Sequence, residues 1–141
     1  MPSAEPILLD THAWVWFRLG ERAAFRRASI EAIQAAAGHS ALRVSVISAW
    51  EVAMLASKRR LQLGAPVGEW VQRALAAPGL LLAELTPEIA VEACNLPGDP
   101  GGDPADRIII ATARLTGATL YTKDRSILTY GRRGHVKVAA L

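Results

Sequence analysis

The sequence predicts an α/β fold of three layers, a central parallel sheet of about five strands with helices on both faces. Two observations indicate this class. Strand-like and helix-like segments alternate along the chain, and the strand segments are apolar along their whole length, as is typical of strands buried on both faces. A chain of 141 residues can bury one core, so we expect residues 1–141 to form a single domain with right-handed crossovers.

The first half of the chain predicts two strands and four helices. The apolar run "PILLD" reads as a strand that ends at Asp10, and the helix after it stops at Gly20. Apolar residues on one side indicate a helix over 24–38, with Gly38 as its stop. The remaining elements of this half are a strand over 41–47 and helices over 48–63 and 67–79.

The second half predicts three more strands. The run over 80–85 is the third strand, and Thr86 caps a helix over 86–98 that has Pro87 at its first position. A loop rich in glycine and proline leads to a long apolar helix. The last elements are that helix over 105–117, a strand over 118–122 and an edge strand over 136–141.

Composition excludes several protein classes. Hydrophobic residues make up 51% and charged residues 21%, which is typical of a globular chain. No apolar run reaches the roughly 18 residues of a membrane span, and the N-terminus has no basic segment before its apolar stretch. Cys94 is the only cysteine, which excludes an internal disulfide and a cysteine zinc site. We therefore expect a cytoplasmic protein without a membrane partner, with Cys94 buried on a helix.

Five acidic residues are predicted to lie along one edge of the sheet, the edge formed by the carboxyl ends of its strands. Asp10 closes the first strand, Glu51 lies in the first turn after the second strand, and Asp124 follows the fourth. Asp103 and Asp106 open the long apolar helix. Open parallel sheets bind ligands at the carboxyl ends of their strands, and carboxylates gathered there repel one another unless cations compensate. This pattern predicts a site for Mg²⁺ or Mn²⁺, which prefer oxygen ligands.

Each acid also has a structural explanation that needs no metal. Asp10 with Thr11 caps a helix, "SAWE" is a capping box of Ser48 and Glu51, Asp103 caps the helix that contains Pro104 and Asp106, and Asp124 starts a turn with Arg125 and Ser126. Capping does not require these residues to converge at one end of one sheet. The convergence therefore favours the metal site.

The remaining charge is basic. The chain has 16 Lys and Arg against 13 Asp and Glu, a net charge of +3. If Asp10, Glu51, Asp106 and Asp124 hold metal, the rest has 16 basic against nine acidic residues, or +7. Such a surface attracts a polyanion, although an ordinary solvated surface explains the composition equally well.

Three stretches, "LLDTHAWVW", "SVISAWEVAML" and "DPADRIIIATARLTGATLYTKD", resemble PIN-domain ribonucleases, specifically the VapC-type toxins of toxin–antitoxin pairs. The resemblance runs from Ile7 to Val138. It implies a metal-dependent endoribonuclease that is neutralised by a cognate antitoxin and forms a homodimer. It implies as catalytic metal ligands Asp10, Glu51, Asp106 and Asp124, and as auxiliary residues Asp103, Thr11, Ser48 and Thr122. Whether the site binds one ion or two stays open.

Several other residues have two readings. Lys123 and Arg125 are candidates for RNA backbone contacts. Arg107 is a third candidate, although an ion pair with a neighbouring carboxylate is favoured. Helical spacing favours core or interface positions over base stacking for Trp14, Trp16, Trp50 and Trp70. His12 is expected to pack or to face solvent, and surface positions are expected for His39 and His135, which lie in loops without metal-ligand spacing.

Two other functions compete with this interpretation. An aspartyl-phosphate or receiver-like domain needs a second acid close to Asp10 and a lysine on its own strand end, whereas Lys123 adjoins Asp124. The non-enzymatic alternative is a catalytically silent RNA- or protein-binding module on the same fold. In such a module the acids would serve stability, so their replacement would not abolish an activity.

Overall fold

The structure is a computed structural model that describes residues 5–141. Its sheet has five parallel strands in the order β3-β2-β1-β4-β5. This confirms the predicted parallel sheet with the last strand at an edge. The strands are β1 (Ile7–Leu9), β2 (Leu42–Ser45), β3 (Leu80–Ala83), β4 (Thr119–Thr122) and β5 (Val138–Ala140).

Helices cover both faces of the sheet, as predicted. Helices α1, α2 and α4 pack against one face through one cluster of buried residues, and α5, α6 and α7 pack against the other. Helix α3 contacts α1, α4 and α6. The helices are α1 (Thr11–Leu19), α2 (Arg27–Gly38), α3 (Val46–Ser57), α4 (Val67–Leu75), α5 (Pro87–Cys94), α6 (Pro104–Thr116) and α7 (Arg125–Arg132). Among the described residues, none of the helices is long and apolar enough to cross a membrane.

The central strand is buried on both sides. Ile7 and Leu9 belong to the cluster under α1, α2 and α4, whereas Leu8 belongs to the opposite cluster. The alternation of side chains along a strand explains why this segment is apolar throughout. Trp14 and Trp70 pack edge to face at 5.1 Å between ring centroids, which confirms both as core residues. Trp50, by contrast, is exposed.

Helix α3 differs from the predicted helix at both ends. It begins at Val46, because the Ser45 hydroxyl accepts a hydrogen bond from the Ile47 amide at 3.2 Å and caps it. The predicted cap, Ser48, lies inside the helix and is buried. The predicted helix over 48–63 ends early, since Arg59 has φ of 55° and leaves the helical conformation.

Helix α7 occupies a segment where the sequence predicts only a turn. Asp124 is its N-cap: one carboxylate oxygen accepts from the amides of Ser126 (2.8 Å) and Ile127 (3.2 Å). Ile127 and Tyr130 lie on one face of this helix and are buried. Tertiary packing of that short face stabilises a helix that local sequence does not indicate.

Cys94 is exposed, so its predicted burial is wrong. Helix α5 buries Ile89 and Ala93, which are four residues apart and share one face. Cys94 is one residue further, at the last position of the helix, and falls outside that face.

Candidate active site

The acidic residues lie at the carboxyl ends of the central strands. Strand β1 pairs with β2 on one side and β4 on the other, so the chain reverses its direction of winding at this point. Asp10 directly follows β1, and Asp124 follows β4. Such a reversal opens a crevice in which parallel sheets bind ligands.

Three further acids enter from helices. Asp103 is the N-cap of α6 and Asp106 lies in its first turn, as predicted. Glu51 lies in the second turn of α3 rather than the first, because the helix begins at Val46. Carboxylate oxygens of Glu51, Asp103 and Asp106 lie within 4.8 Å of one another. Asp103, expected as an auxiliary residue, therefore belongs to this close group, whereas the predicted ligands Asp10 and Asp124 are outside it.

Asp103 combines two roles that the sequence presented as alternatives. One of its carboxylate oxygens accepts a hydrogen bond from the Asp106 amide at 2.8 Å and caps α6. Capping thereby holds Asp103 and Asp106 at the start of α6, close to Glu51. The Asp103 carboxylate therefore both caps α6 and contributes to the acidic cluster.

Asp10 is fixed at both oxygens. One oxygen accepts from the Thr11 amide at 2.8 Å, and the other accepts from the Thr122 hydroxyl at 2.6 Å. The same Thr122 oxygen accepts from the Asp124 amide at 3.0 Å. Thr122 thus joins the acids that follow β1 and β4, and it is completely buried.

A second hydroxyl chain orients Glu51. The Thr11 hydroxyl donates to one oxygen of Glu51 at 2.5 Å and lies 2.8 Å from the Ser48 hydroxyl oxygen. Thr11 has a single hydroxyl proton, so Ser48 is the donor in the second bond. The order is therefore Ser48 to Thr11 to Glu51. Thr11 and Thr122 therefore each donate directly to a carboxylate, whereas Ser48 reaches Glu51 only through the Thr11 hydroxyl.

Burial and mutual repulsion disfavour the ionised form of several acids in the site. Burial, followed by repulsion from Asp103, Asp10, Glu51 and Asp124, raises the pKa of Asp106 to about 7. Burial also raises the pKa of Asp10 and of Glu51, although hydrogen bonds from threonines oppose this effect. Protons or cations relieve such repulsion. The donor set consists of oxygen atoms only, which fits a hard divalent cation.

The three basic candidates have different surroundings. Arg107 forms an ion pair at 2.8 Å with Asp99, an exposed residue of the loop before α6, and donates to the Ala93 carbonyl at 2.9 Å. Lys123 is exposed, with its ammonium 4.4 Å from the centroid of the Trp16 ring. Arg125 is exposed at the start of α7.

His12 is exposed and packs on Trp16 with ring centroids 5.5 Å apart, so it has the surface position that was expected. Its effect on the acids was missed: its charge lowers the pKa of Asp10. Sequence reasoning also missed the partner of Arg107, Asp99, because a loop of irregular conformation has no period that brings the two together. His12 and Asp10 are only two residues apart, so the sequence could have indicated the effect of His12 on the pKa of Asp10.

The chain is similar to known proteins along most of its length. The family described as PIN domain matches residues 7–132. Ribonuclease VapC22 of Mycobacterium tuberculosis (strain ATCC 25618 / H37Rv) is 40% identical over 124 residues, which cover 88% of this chain and 91% of that protein.

Solved structures share the fold at lower identity. VapBC2 from Rickettsia felis, bound to a DNA fragment from its promoter, contains a chain with a TM-score of 0.69 at 14% identity, covering 95% of this chain and 97% of that one. DNA-bound VapBC from Salmonella typhimurium gives 0.69 at 13%, covering 96% and 98%. A toxin–antitoxin complex from Klebsiella pneumoniae gives 0.53 at 23%, covering 84% and 86%. The acids at the strand ends, the family match over most of the chain and the 40% identical relative together show that this chain belongs to the PIN domain family.

Proposed function

We propose that this chain is a metal-dependent endoribonuclease that hydrolyses RNA phosphodiester bonds and acts as the toxin of a toxin–antitoxin pair. The observation that carries the proposal is the convergence of five acids from distant segments at the reversal point of the sheet, with the pKa of Asp106 raised to about 7. The 40% identical relative is a ribonuclease, which supports RNA as the substrate.

We assign as metal ligands Asp10, Glu51, Asp106 and Asp124, with Mg²⁺ or Mn²⁺ as the cation. The support is an all-oxygen donor set that is partly buried and short of positive charge. When bound, the cation supplies charge compensation for the phosphate and activation of the attacking water. Asp103 keeps its auxiliary role, holding the start of α6 and adding negative charge beside Asp106.

The chain's hydroxyl groups fix these acids before substrate arrives. Thr11 holds one oxygen of Glu51, and Thr122 holds one oxygen of Asp10. The amides of α7 hold one oxygen of Asp124. We assign to the remaining oxygens of Glu51 and Asp124 the orientation of the attacking water. Such preorganisation lowers the reorganisation that the reaction requires.

The bond changes of the proposed reaction balance as a hydrolysis. The water oxygen bonds to phosphorus, the bond from phosphorus to the 3′ oxygen breaks, and the 3′ oxygen takes a proton. The products are a 5′-phosphate and a 3′-hydroxyl. Negative charge builds on the phosphoryl oxygens and on the departing oxygen during this step, at the positions where a cation among the acids would compensate it.

We further propose a cognate antitoxin as protein partner and a homodimer as the working assembly. Structural neighbours are VapBC and toxin–antitoxin complexes, which supports the antitoxin. Large apolar side chains that are exposed within the described residues support an interface; they are Leu19, Trp50, Leu81, Leu82, Leu85, Val91 and Leu115. Light scattering on the purified chain at micromolar concentration tests the dimer, because a monomeric mass contradicts it.

We place this single-domain nuclease in the cytoplasm, consistent with its one cysteine.

RNA cleavage by the purified protein tests the proposed activity. The reactions contain Mg²⁺, Mn²⁺ or EDTA, and Asp10→Asn is compared with Asp99→Asn, which alters a carboxylate outside the site. We expect cleavage that requires metal, falls by about 100-fold or more in Asp10→Asn and persists in Asp99→Asn. Equal cleavage by Asp10→Asn would indicate a contaminating nuclease. RNA binding without cleavage by the wild type would favour the silent binding module.

A further inference from the structure

A pocket lies between α7 and the loop before α6. It is next to the acidic centre, the name used here for Asp10, Glu51, Asp103, Asp106 and Asp124. It is a cavity of about 350 Å³ lined by Pro100, Arg125, Ser126, Thr129, Tyr130 and Arg133. We name it the α7 pocket. Arg125, Thr129 and Arg133 are spaced by four residues, so they follow one face of the helix and its end. Arg125 directly follows Asp124, so one end of the α7 pocket is one residue away from the acidic centre.

The donors of the α7 pocket suit a phosphate group. Two arginines and three hydroxyl residues line it, and no acidic residue does. One of the three, Tyr130, already donates its hydroxyl proton to the Pro97 carbonyl, which leaves Ser126 and Thr129 as hydroxyl donors. Within residues 5–141, the Arg125 side chain has neither a hydrogen bond nor an ion pair. The nearby Asp99 is engaged by Arg107, and one oxygen of Asp124 is engaged by the α7 amides. Planar guanidinium groups bind phosphate through two parallel hydrogen bonds.

Arg133 is already held in place. One terminal nitrogen donates to the Gly98 carbonyl at 2.8 Å, and the guanidinium lies 5.7 Å from the centroid of the Tyr130 ring. Tyr130 is itself fixed, since its hydroxyl donates to the Pro97 carbonyl at 2.6 Å. A side chain at residue 98 would collide with Arg133, because a Cβ there would lie 2.4 Å from that nitrogen. A charge immobilised in this way loses less conformational entropy when it binds a ligand.

We infer that the α7 pocket binds a backbone phosphate of the RNA strand next to the phosphodiester that is cut. The inference rests on the proposed ribonuclease function and extends it with a substrate-binding site. The pocket contacts sugar and phosphate only, so it positions the strand without reading its sequence. Arg125 and Arg133 supply the charge, and Ser126 and Thr129 supply neutral donors.

The chain offers a matched control on the same helix. Arg132 adjoins Arg133 and carries the same charge, but it lines a different pocket with Glu92, Arg114 and Lys137. That pocket lies at the amino ends of β4 and β5, away from the acids. Arg132→Ala therefore removes the same net charge from the same helix without altering the α7 pocket.

Binding is measured by fluorescence anisotropy with a fluorescein-labelled single-stranded RNA of mixed sequence, in EDTA, at several salt concentrations. We expect Arg125→Ala and Arg133→Ala each to weaken binding by about three- to tenfold relative to Arg132→Ala. Each variant should also reduce the salt slope by about 0.7, the value for one phosphate contact on a single strand. The melting temperature of each variant checks that it is folded. Arg125→Ala should not destabilise the protein, because the Arg125 side chain makes no hydrogen bond or ion pair within residues 5–141.

Cleavage kinetics separate this inference from the proposed function. With metal present, Arg125→Ala should raise KM and leave kcat near the wild-type value, because the contact persists from bound substrate to transition state. Wild-type cleavage combined with Arg125→Ala and Arg133→Ala binding equal to that of Arg132→Ala overturns the inference and leaves the nuclease standing. Weaker binding by both variants in a protein that cleaves nothing supports the pocket and counts against the nuclease.

Discussion

Residue-scale electrostatics control the acidic centre. Asp106 has a pKa of about 7 in the folded chain against 3.8 as the ordinary value, because burial and four neighbouring carboxylates disfavour its charge. Between about pH 4 and pH 7 the folded state therefore keeps a proton on Asp106 that the unfolded state has already released. Stability that depends on this group is complete below pH 4 and is lost as pH rises through 7.

Asp106→Asn should consequently stabilise the metal-free protein. Asn is neutral at every pH, so the variant avoids the loss between pH 4 and 7. We expect it to exceed the wild type at pH 8 by about 1–2 kcal/mol, a value reduced for solvent screening because the side chain is only half-buried. Urea denaturation in EDTA at pH 4 and pH 8 measures the difference.

Asp99→Asn is the control for that experiment. The Asp99 pKa is lowered by its hydrogen bond to Arg107, so its replacement gives no stabilisation at pH 8. A gain of equal size in both variants would show that the effect comes from net charge rather than from the acidic cluster. A pH dependence identical in the wild type and Asp106→Asn would contradict the account of Asp106.

Thr122 provides a second prediction at the residue scale. Thr122→Val keeps the shape but leaves one oxygen of Asp10 and the Asp124 amide without their partner in a buried position. We expect a loss of about 1–3 kcal/mol in the free energy of unfolding, together with slower RNA cleavage. Thr122→Ser retains the hydroxyl and should restore cleavage. Normal cleavage by Thr122→Val would rule out the orienting role.

At the element scale, the turn between α4 and β3 depends on a close backbone contact. Gly79 has φ of +81°, and a Cβ there would lie 1.8 Å from the Ala37 carbonyl oxygen near the end of α2. Neither backbone can yield without moving its element. Gly64 has a similar φ of +73° and no atom within 4 Å of its Cβ position.

Gly79→Ala should therefore cost far more than Gly64→Ala. For Gly64→Ala we expect about 1 kcal/mol, the cost of an unfavourable φ alone. For Gly79→Ala we expect more than about 3 kcal/mol, because the collision displaces α2 or β3. Urea denaturation of both variants gives the comparison. Similar losses would show that the contact between the turn and α2 is loose.

At the scale of the whole molecule, folding and cation binding are coupled. The chain is basic overall, with a net charge of +3, yet it gathers five acids close enough that four of them raise the pKa of the fifth, Asp106. The unfolded chain disperses these acids, so a divalent cation should bind the folded state in preference. The binding energy then adds to the free energy of unfolding.

Melting temperature should rise with Mn²⁺ or Mg²⁺ in the wild type. At 100 times the dissociation constant, the added stability is about 2.7 kcal/mol. We expect Glu51→Gln to reduce this gain and Asp99→Asn to keep it. Calorimetric scans with and without the cation make the measurement. A cation effect that survives Glu51→Gln and Asp106→Asn together would place the binding elsewhere.

Much of this architecture could be predicted from individual segments. The apolar run that ends at Asp10 indicated a doubly buried strand, and Gly20 and Thr86 marked helix ends that the structure confirms. The start of α3 could not be predicted, because Ser45 and Ser48 are both good caps in isolation. In the folded chain Ser45 is the cap, and Ser48 lies inside the helix, buried with its hydroxyl oxygen 2.8 Å from that of Thr11, a residue far away in the sequence.

The sequence by itself determined the alternation of elements, the positions of Asp10 and Asp124 after strands and of Asp103 and Asp106 at a helix start, and the basic balance of the remaining charge. These properties are local, since caps, apolar runs and charges act over a few residues. Only the tertiary structure decided the order of the strands, the close group of Glu51, Asp103 and Asp106, and the existence of α7 with its pocket. Those depend on contacts between residues far apart in the chain, whose free energy no local pattern contains.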